Sequence, residues 1–133
     1  MPNTCVCLAM VLADRVFREE GTQKVHIAGT FNQIRAASFP SLHSQMALFL
    51  AITNVRPGPH TAVIVFCYLD EDETEVLRAE GKMEAVDPLQ VSELVFNFRN
   101  VALPKPGLLE IAFYLDDEPV QRRKLQLTAA EPA

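Results

Sequence analysis

The sequence predicts an all-β protein, a two-sheet antiparallel sandwich of seven to nine strands. Three observations carry this. Apolar residues recur at every second position in run after run, the period of a half-buried strand. Turn-forming residues separate those runs at short intervals. No window holds an apolar stripe at i, i+3, i+4, i+7, so no long helix is expected. The chain has 133 residues, the length of one domain, and 49% of them are hydrophobic, enough for a sizeable core.

The first run is Cys5 to Ala13, CVCLAMVLA. It ends in small residues as a secretory signal does, but no Lys or Arg precedes it and it is far too short to span a bilayer. It reads as a first core strand. In the stretch Lys24 to Phe31, one face carries Val25, Ile27, Gly29 and Phe31; the other carries His26, which is expected to face solvent. Phe31 to His43 then reads as a long loop. Met46, Leu48, Leu50 and Ile52 share a face, with Phe49 opposite. Thr61 to Leu69 is apolar on both faces, the mark of a central strand covered on both sides. Leu94, Phe96 and Phe98 alternate with polar residues, as do Leu109, Ile111, Phe113 and Leu115. Val120 to Leu127 is the most polar run and reads as an edge strand bearing Arg122, Arg123 and Lys124.

Turns are expected at Glu20-Gly21, Arg56 to Pro59, Asp70 to Glu73, Pro104 to Gly107 and Asp116-Asp117. At Asp87-Pro88 the capping residue allows one helical turn at most. One domain over residues 1–128 is expected, followed by a frayed tail over 129–133.

Charge narrows the function classes. With 12 basic and 17 acidic side chains the net charge is −5, which lacks the footprint of a nucleic-acid binder or of a membrane-surface protein. Cys5, Cys7 and Cys67 make an odd count. Cys5 and Cys7 lie on one face of a strand and bridge only with strain, so three free thiols in a reducing, cytoplasmic setting are expected.

The residues name no chemistry. The histidines, His26, His43 and His60, lack the nucleophile and orienting acid of a catalytic triad. Cys5-x-Cys7 is tighter than a zinc knuckle and has no second ligand pair. The acidic run Asp70-Glu71-Asp72-Glu73 lacks the alternation and glycine of a calcium loop and reads as a solvated turn. No phosphate-binding glycine loop occurs. No catalytic, cofactor-binding or metal-ligating residue is assigned, no cofactor is expected, and the protein is not expected to be an enzyme.

The closing segment PKPGLLEIAFYLDDEPVQRRKLQL resembles the final hairpin of immunoglobulin-like sandwiches. Together with ADRVFREEGTQKVHIAGTFNQIRAASFPSLHSQMALFLAI and LQVSELVFNFRNVALPKPG, it resembles a family of small bacterial proteins of unknown function. That resemblance implies an immunoglobulin-like β-sandwich and no established activity.

An interaction module therefore leads the readings, with a protein partner or a second copy bound. A small-molecule or glycan binder using a sheet face is the alternative, and an enzyme of unrecognised type comes after it. The binder would show an aromatic row of Phe49, Phe66, Tyr68 and Tyr114. The two-faced strand suggests where self-association would occur. One of its faces has to be covered by the Phe31 to His43 loop or by another chain, and Phe49, Ile64, Phe66 and Tyr68 are the candidate interface residues.

Overall fold

A computed structural model describes residues 4–130. They form nine strands: β1 (Val6–Arg18), β2 (Val25–Thr30), β3 (Gln33–Ala36), β4 (Ser41–Thr53), β5 (Gly58–Tyr68), β6 (Glu75–Ala85), β7 (Ser92–Leu103), β8 (Gly107–Leu115) and β9 (Glu118–Ala129). One sheet runs β2-β1-β4-β7; the other runs β3-β9-β8-β5-β6 and is curled. Every pairing is antiparallel except β3 with β9. Among the described residues no helix is long and apolar enough to cross a membrane.

The core lies between the sheets. Met46, Leu48, Leu50 and Ile52 of β4 meet Ile64, Phe66 and Tyr68 of β5 and Ile111 and Phe113 of β8. The Phe66 and Phe98 rings pack edge to face with centroids 5.2 Å apart, the arrangement aromatic quadrupoles favour. Where the sheets come together at β6 and β7, the Phe96 ring lies on Gly81, and a Cβ there would sit 3.3 Å from it. Arg123 points inward from β9 and latches the sheets, donating to the Met10 carbonyl at 3.0 Å and to the Asn32 side chain.

β1 serves two partners. Its first half pairs with β4, from Val6↔Thr53 to Ala13↔Ala47; its second half pairs only with β2, from Ala13↔Thr30 to Arg18↔Val25. Arg18 then bonds Glu93 of β7 at 3.2 Å, although β4 lies between β1 and β7 in the sheet. The far half of the β1–β2 hairpin must therefore fold over the outer face of β4. Phe49 lies on that face, outside the core cluster, and is only 7% exposed.

Several expectations change. The Phe31 to His43 loop contains β3, which pairs with the C-terminal half of β9. β9 is accordingly not an edge along its whole length, and the inward turn of Arg123 breaks up the basic triplet. β6 was hidden because its inward positions include Ala79, Gly81 and Ala85, which carry little apolar signal. The tail also starts later than expected: β9 includes Ala129, and the Ala130 N–H bonds the Ala36 carbonyl at 2.8 Å. The rest of the expected tail, 131–133, and residues 1–3 lie outside the described residues.

Candidate functional site

The proposed interface residues do not share an open face. Ile64 and Phe66 are fully buried and Tyr68 is 1% exposed, all three within the core. The Tyr68 hydroxyl donates to the Lys105 carbonyl at 2.7 Å. Both faces of β5 are apolar, and the larger set fills the space between the sheets, leaving Val63, Val65 and Cys67 outside. Phe49 lies on the opposite sheet beneath the hairpin. These four residues are therefore corrected from interface to interior, and the aromatic row expected of a glycan binder is reduced to Tyr114, which is half-buried.

The histidines resolve differently from one another. His26 is exposed, stacks on Phe17 at 5.1 Å and bonds Glu19 at 3.2 Å. His43 packs against Phe31 at 5.9 Å. His60 is the buried one. Its Nδ1 lies 2.5 Å from Asp116 Oδ2 and its Nε2 lies 2.7 Å from the Arg56 carbonyl. Both partners are acceptors, an arrangement that favours the imidazolium, the form in which both ring nitrogens donate. Burial alone would lower its pKa, but the Asp116 and Arg56 bonds outweigh that and raise it. For Asp116, burial works to raise the pKa, while the Thr61 N–H bond at 2.9 Å and His60 bring it below the ordinary carboxylate value. In the imidazolium form both ring protons are engaged within the fold. This pair is a structural clamp between the β4–β5 connection and the β8–β9 turn. Asp116 and Asp117 take positive φ there, 52° and 68°, as the hairpin requires.

The other flagged groups are likewise occupied in holding the fold. The acidic turn is closed by Asp70, whose Oδ1 accepts the Glu73 N–H at 2.9 Å while Oδ2 pairs with Lys105. The three cysteines are free thiols. Burial, with Cys7 beside it, pushes the Cys5 thiol up to about 11, so it is a poor nucleophile at neutral pH. Among the described residues no group of three His, Cys, Asp or Glu is placed to hold a metal ion.

The two most exposed large apolar side chains among the described residues, Leu89 and Val86, lie on the loop from Val86 to Val91, between β6 and β7. Its backbone is held from several sides. Asp87 accepts the Leu89 N–H on its carboxylate and the Gln90 N–H on its carbonyl, both at 2.9 Å. The Gln90 side chain accepts the Val86 N–H at 3.1 Å. Asn54 N–H donates to the Pro88 carbonyl at 3.0 Å, and Thr53 Oγ1 to the Gln90 carbonyl at 3.0 Å. Yet Leu89 is 88% exposed, Val86 77% and Val91 52%, and Val6, paired with Thr53 beside the loop, is 47% exposed. In the sequence, Asp87-Pro88 marks this stretch as a turn. Its overlooked signal was three apolar residues where turn chemistry calls for polar ones.

Fold and site together define a class: a two-sheet all-β domain with its polar clusters tied up in holding the fold and a fixed apolar loop at one end. Residues 8–128 match the model of a family of unknown function, DUF6941, and the chain belongs to that family. No curated protein matches it. Among solved structures it is similar to the alkylpurine DNA glycosylase AlkC of Pseudomonas fluorescens, bound to DNA containing an abasic site analog. The identity is 10% and the TM-score 0.50, over 74% of this chain and 28% of that one. At that identity the likeness concerns the fold alone.

Proposed function

We propose that this protein is a non-catalytic interaction module that docks a protein partner through the loop Val86 to Val91. The observation that carries the reading is the loop's combination of fixed backbone and exposed apolar side chains. A loop that had only to connect β6 to β7 would gain nothing from holding Leu89 in water. A docking loop gains, because ordering it beforehand removes entropy that binding would otherwise have to overcome. Large apolar residues exposed together mark interaction sites.

In this reading the domain is an immunoglobulin-like sandwich with one curled sheet. In support, β4 and β7 neighbour each other as strands B and E do, and β5, β8 and β9 lie together as C, F and G do. The three free thiols suit a cytoplasmic setting. The acidic balance argues against carrying over the DNA of the glycosylase complex, since a net charge of −5 repels phosphate.

The test is affinity capture from extracts of the source cells with the parent protein, Leu89→Asp and Val86→Asp, beside thermal melts of all three. A protein held by the parent and released by both variants, with melting temperatures unchanged, is the expected outcome. Identical captured sets would remove the loop from function.

A further inference from the structure

A second surface, independent of the loop, lies along the edge of the first sheet. Among the described residues the two long edge strands are β6 and β7. β6 is guarded: its outward positions are Arg78, Glu80, Lys82 and Glu84, and charges of this kind keep stray strands away. β7 carries no such row of charges, and its backbone irregularity, Asn100 at φ 53°, lies beyond Arg99. Its sequence SELVFNFRNVAL holds two charges, Glu93 and Arg99, and no Lys or Pro. β6 packs against the face of β7 through Gly81 and Phe96, not along its edge.

The hydrogen-bonding phase of that edge follows from the ladder. The Leu12 carbonyl accepts the Phe31 N–H, on the β2 side of β1. Alternation turns Val11 and Ala13 towards β4, and Phe49 and Ala47 back towards β1. Leu48 and Leu50 then bond Phe96 and Leu94 of β7. Glu93, Val95, Asn97 and Arg99 are left with N–H and C=O directed at the open edge.

We infer that β7 pairs antiparallel with β7 of a second copy, about a two-fold axis at Phe96. This register places Val95 of each copy opposite Asn97 of the other, and Glu93 of each opposite Arg99 of the other. All eight residues are those with free backbone groups, and both charge contacts are attractive. Centring the axis on Val95 instead would leave Glu93 facing Asn97 and lose the charge match. Glu93 uses Oε1 for Arg18, which leaves Oε2 for the incoming Arg99. Such a contact is isologous and closes on itself, joining two four-stranded sheets into one of eight.

The charge match makes the idea testable in a way that simple loss of a contact would not. Glu93→Arg and Arg99→Glu each set like charges opposite one another at both contacts of the dimer. Each is expected to weaken dimerisation roughly thirtyfold, from two contacts turned from attraction to repulsion. An equimolar mixture of the two variants restores both contacts in a mixed dimer and should recover the parent's affinity. Arg99→Gln, which drops the charge without reversing it, should weaken dimerisation less. Sedimentation across a concentration series reads the parent, the three variants and the mixture, with circular dichroism to check that each is folded. A parent that stays monomeric, single variants that dimerise like the parent, or a mixture that recovers nothing would each overturn the inference. Loss of partner capture by Leu89→Asp would leave it untouched, since that variant lies outside the edge.

Discussion

Two neighbouring corners of this molecule use hydrogen bonds for opposite ends. At the first, the β4–β5 connection and the β8–β9 turn draw His60 under the surface and surround it with Asp116, Thr61 and Arg56. At the second, five bonds hold the Val86 to Val91 loop, and its apolar side chains face water. The first corner stabilises the fold, because an ionised ring is buried only when both of its protons find acceptors. The second ties down a backbone whose side chains contribute nothing to the core. A buried histidine paired with a surface carboxylate is thus the less informative sign of function here, and a rigid exposed Leu the more informative one.

The largest effect should come from breaking the first corner. His60→Ala removes two hydrogen bonds, leaves a cavity, and takes from Asp116 the partner of one of its oxygens. The expected cost is about 2–3 kcal/mol, a drop of about 10 °C in melting temperature by calorimetry. A loss below about 0.5 kcal/mol would show that the clamp is incidental.

A smaller effect comes from titrating the clamp. His60 has a folded pKa above its ordinary 6.5, so its contribution is whole below that value and fades as pH rises through the folded pKa. Asp116 has a folded pKa below its ordinary 3.8, so its contribution is whole above that value and fades as pH falls through the folded pKa. Stability from this corner should be greatest between about pH 4 and 6.5. The fall on the alkaline side should be shallower in His60→Ala, and denaturant melts along a pH series check it.

The smallest effect on stability belongs to the second corner. Thr53→Val keeps the strand but deletes the bond to the Gln90 carbonyl, at a cost of about 1 kcal/mol or less. Partner capture should fall more than the melting temperature does, because the loop loses its fixed shape while the core keeps its contacts. A variant that binds like the parent would show that loop rigidity is not needed.

How much of this was legible in the sequence differs by element. Alternation located β4, β5, β7, β8 and β9, and Asp116-Asp117 marked its hairpin turn correctly. β6 stayed hidden because Ala and Gly fill inward positions where the chain comes close to Phe96. The inward face of β5 was undecidable from pattern alone: Val63, Val65 and Cys67 are as apolar as Ile64, Phe66 and Tyr68, and only packing volume chooses between them. The covering of Phe49 was foreseen as a need and assigned to the wrong segment. Its cover is the hairpin that β1 forms with β2, a fold-back that no local period encodes. The β7 edge was equally invisible, since which strand is left without a neighbour depends on topology. The exposed loop was legible in principle, and its Pro drew attention away from its Leu.

The parallel pairing of β3 with β9 sets the order in which the molecule can assemble. Gln33–Ala36 is made early, yet its partner is Gln126 to Ala129. Until those residues have been synthesised, β3 has no ladder, Ile34 has no Leu127 beside it, and the Arg123 latch is missing. Local hairpins such as β1–β2 and β5–β6 can form as they emerge, but the curled sheet stays open at one side throughout synthesis. Contacts of such long sequence separation fold slowly. The apolar faces of β4 and β5 therefore spend much of the chain's elongation without their final cover, and exposed apolar surface of that kind is what makes a nascent chain prone to aggregate.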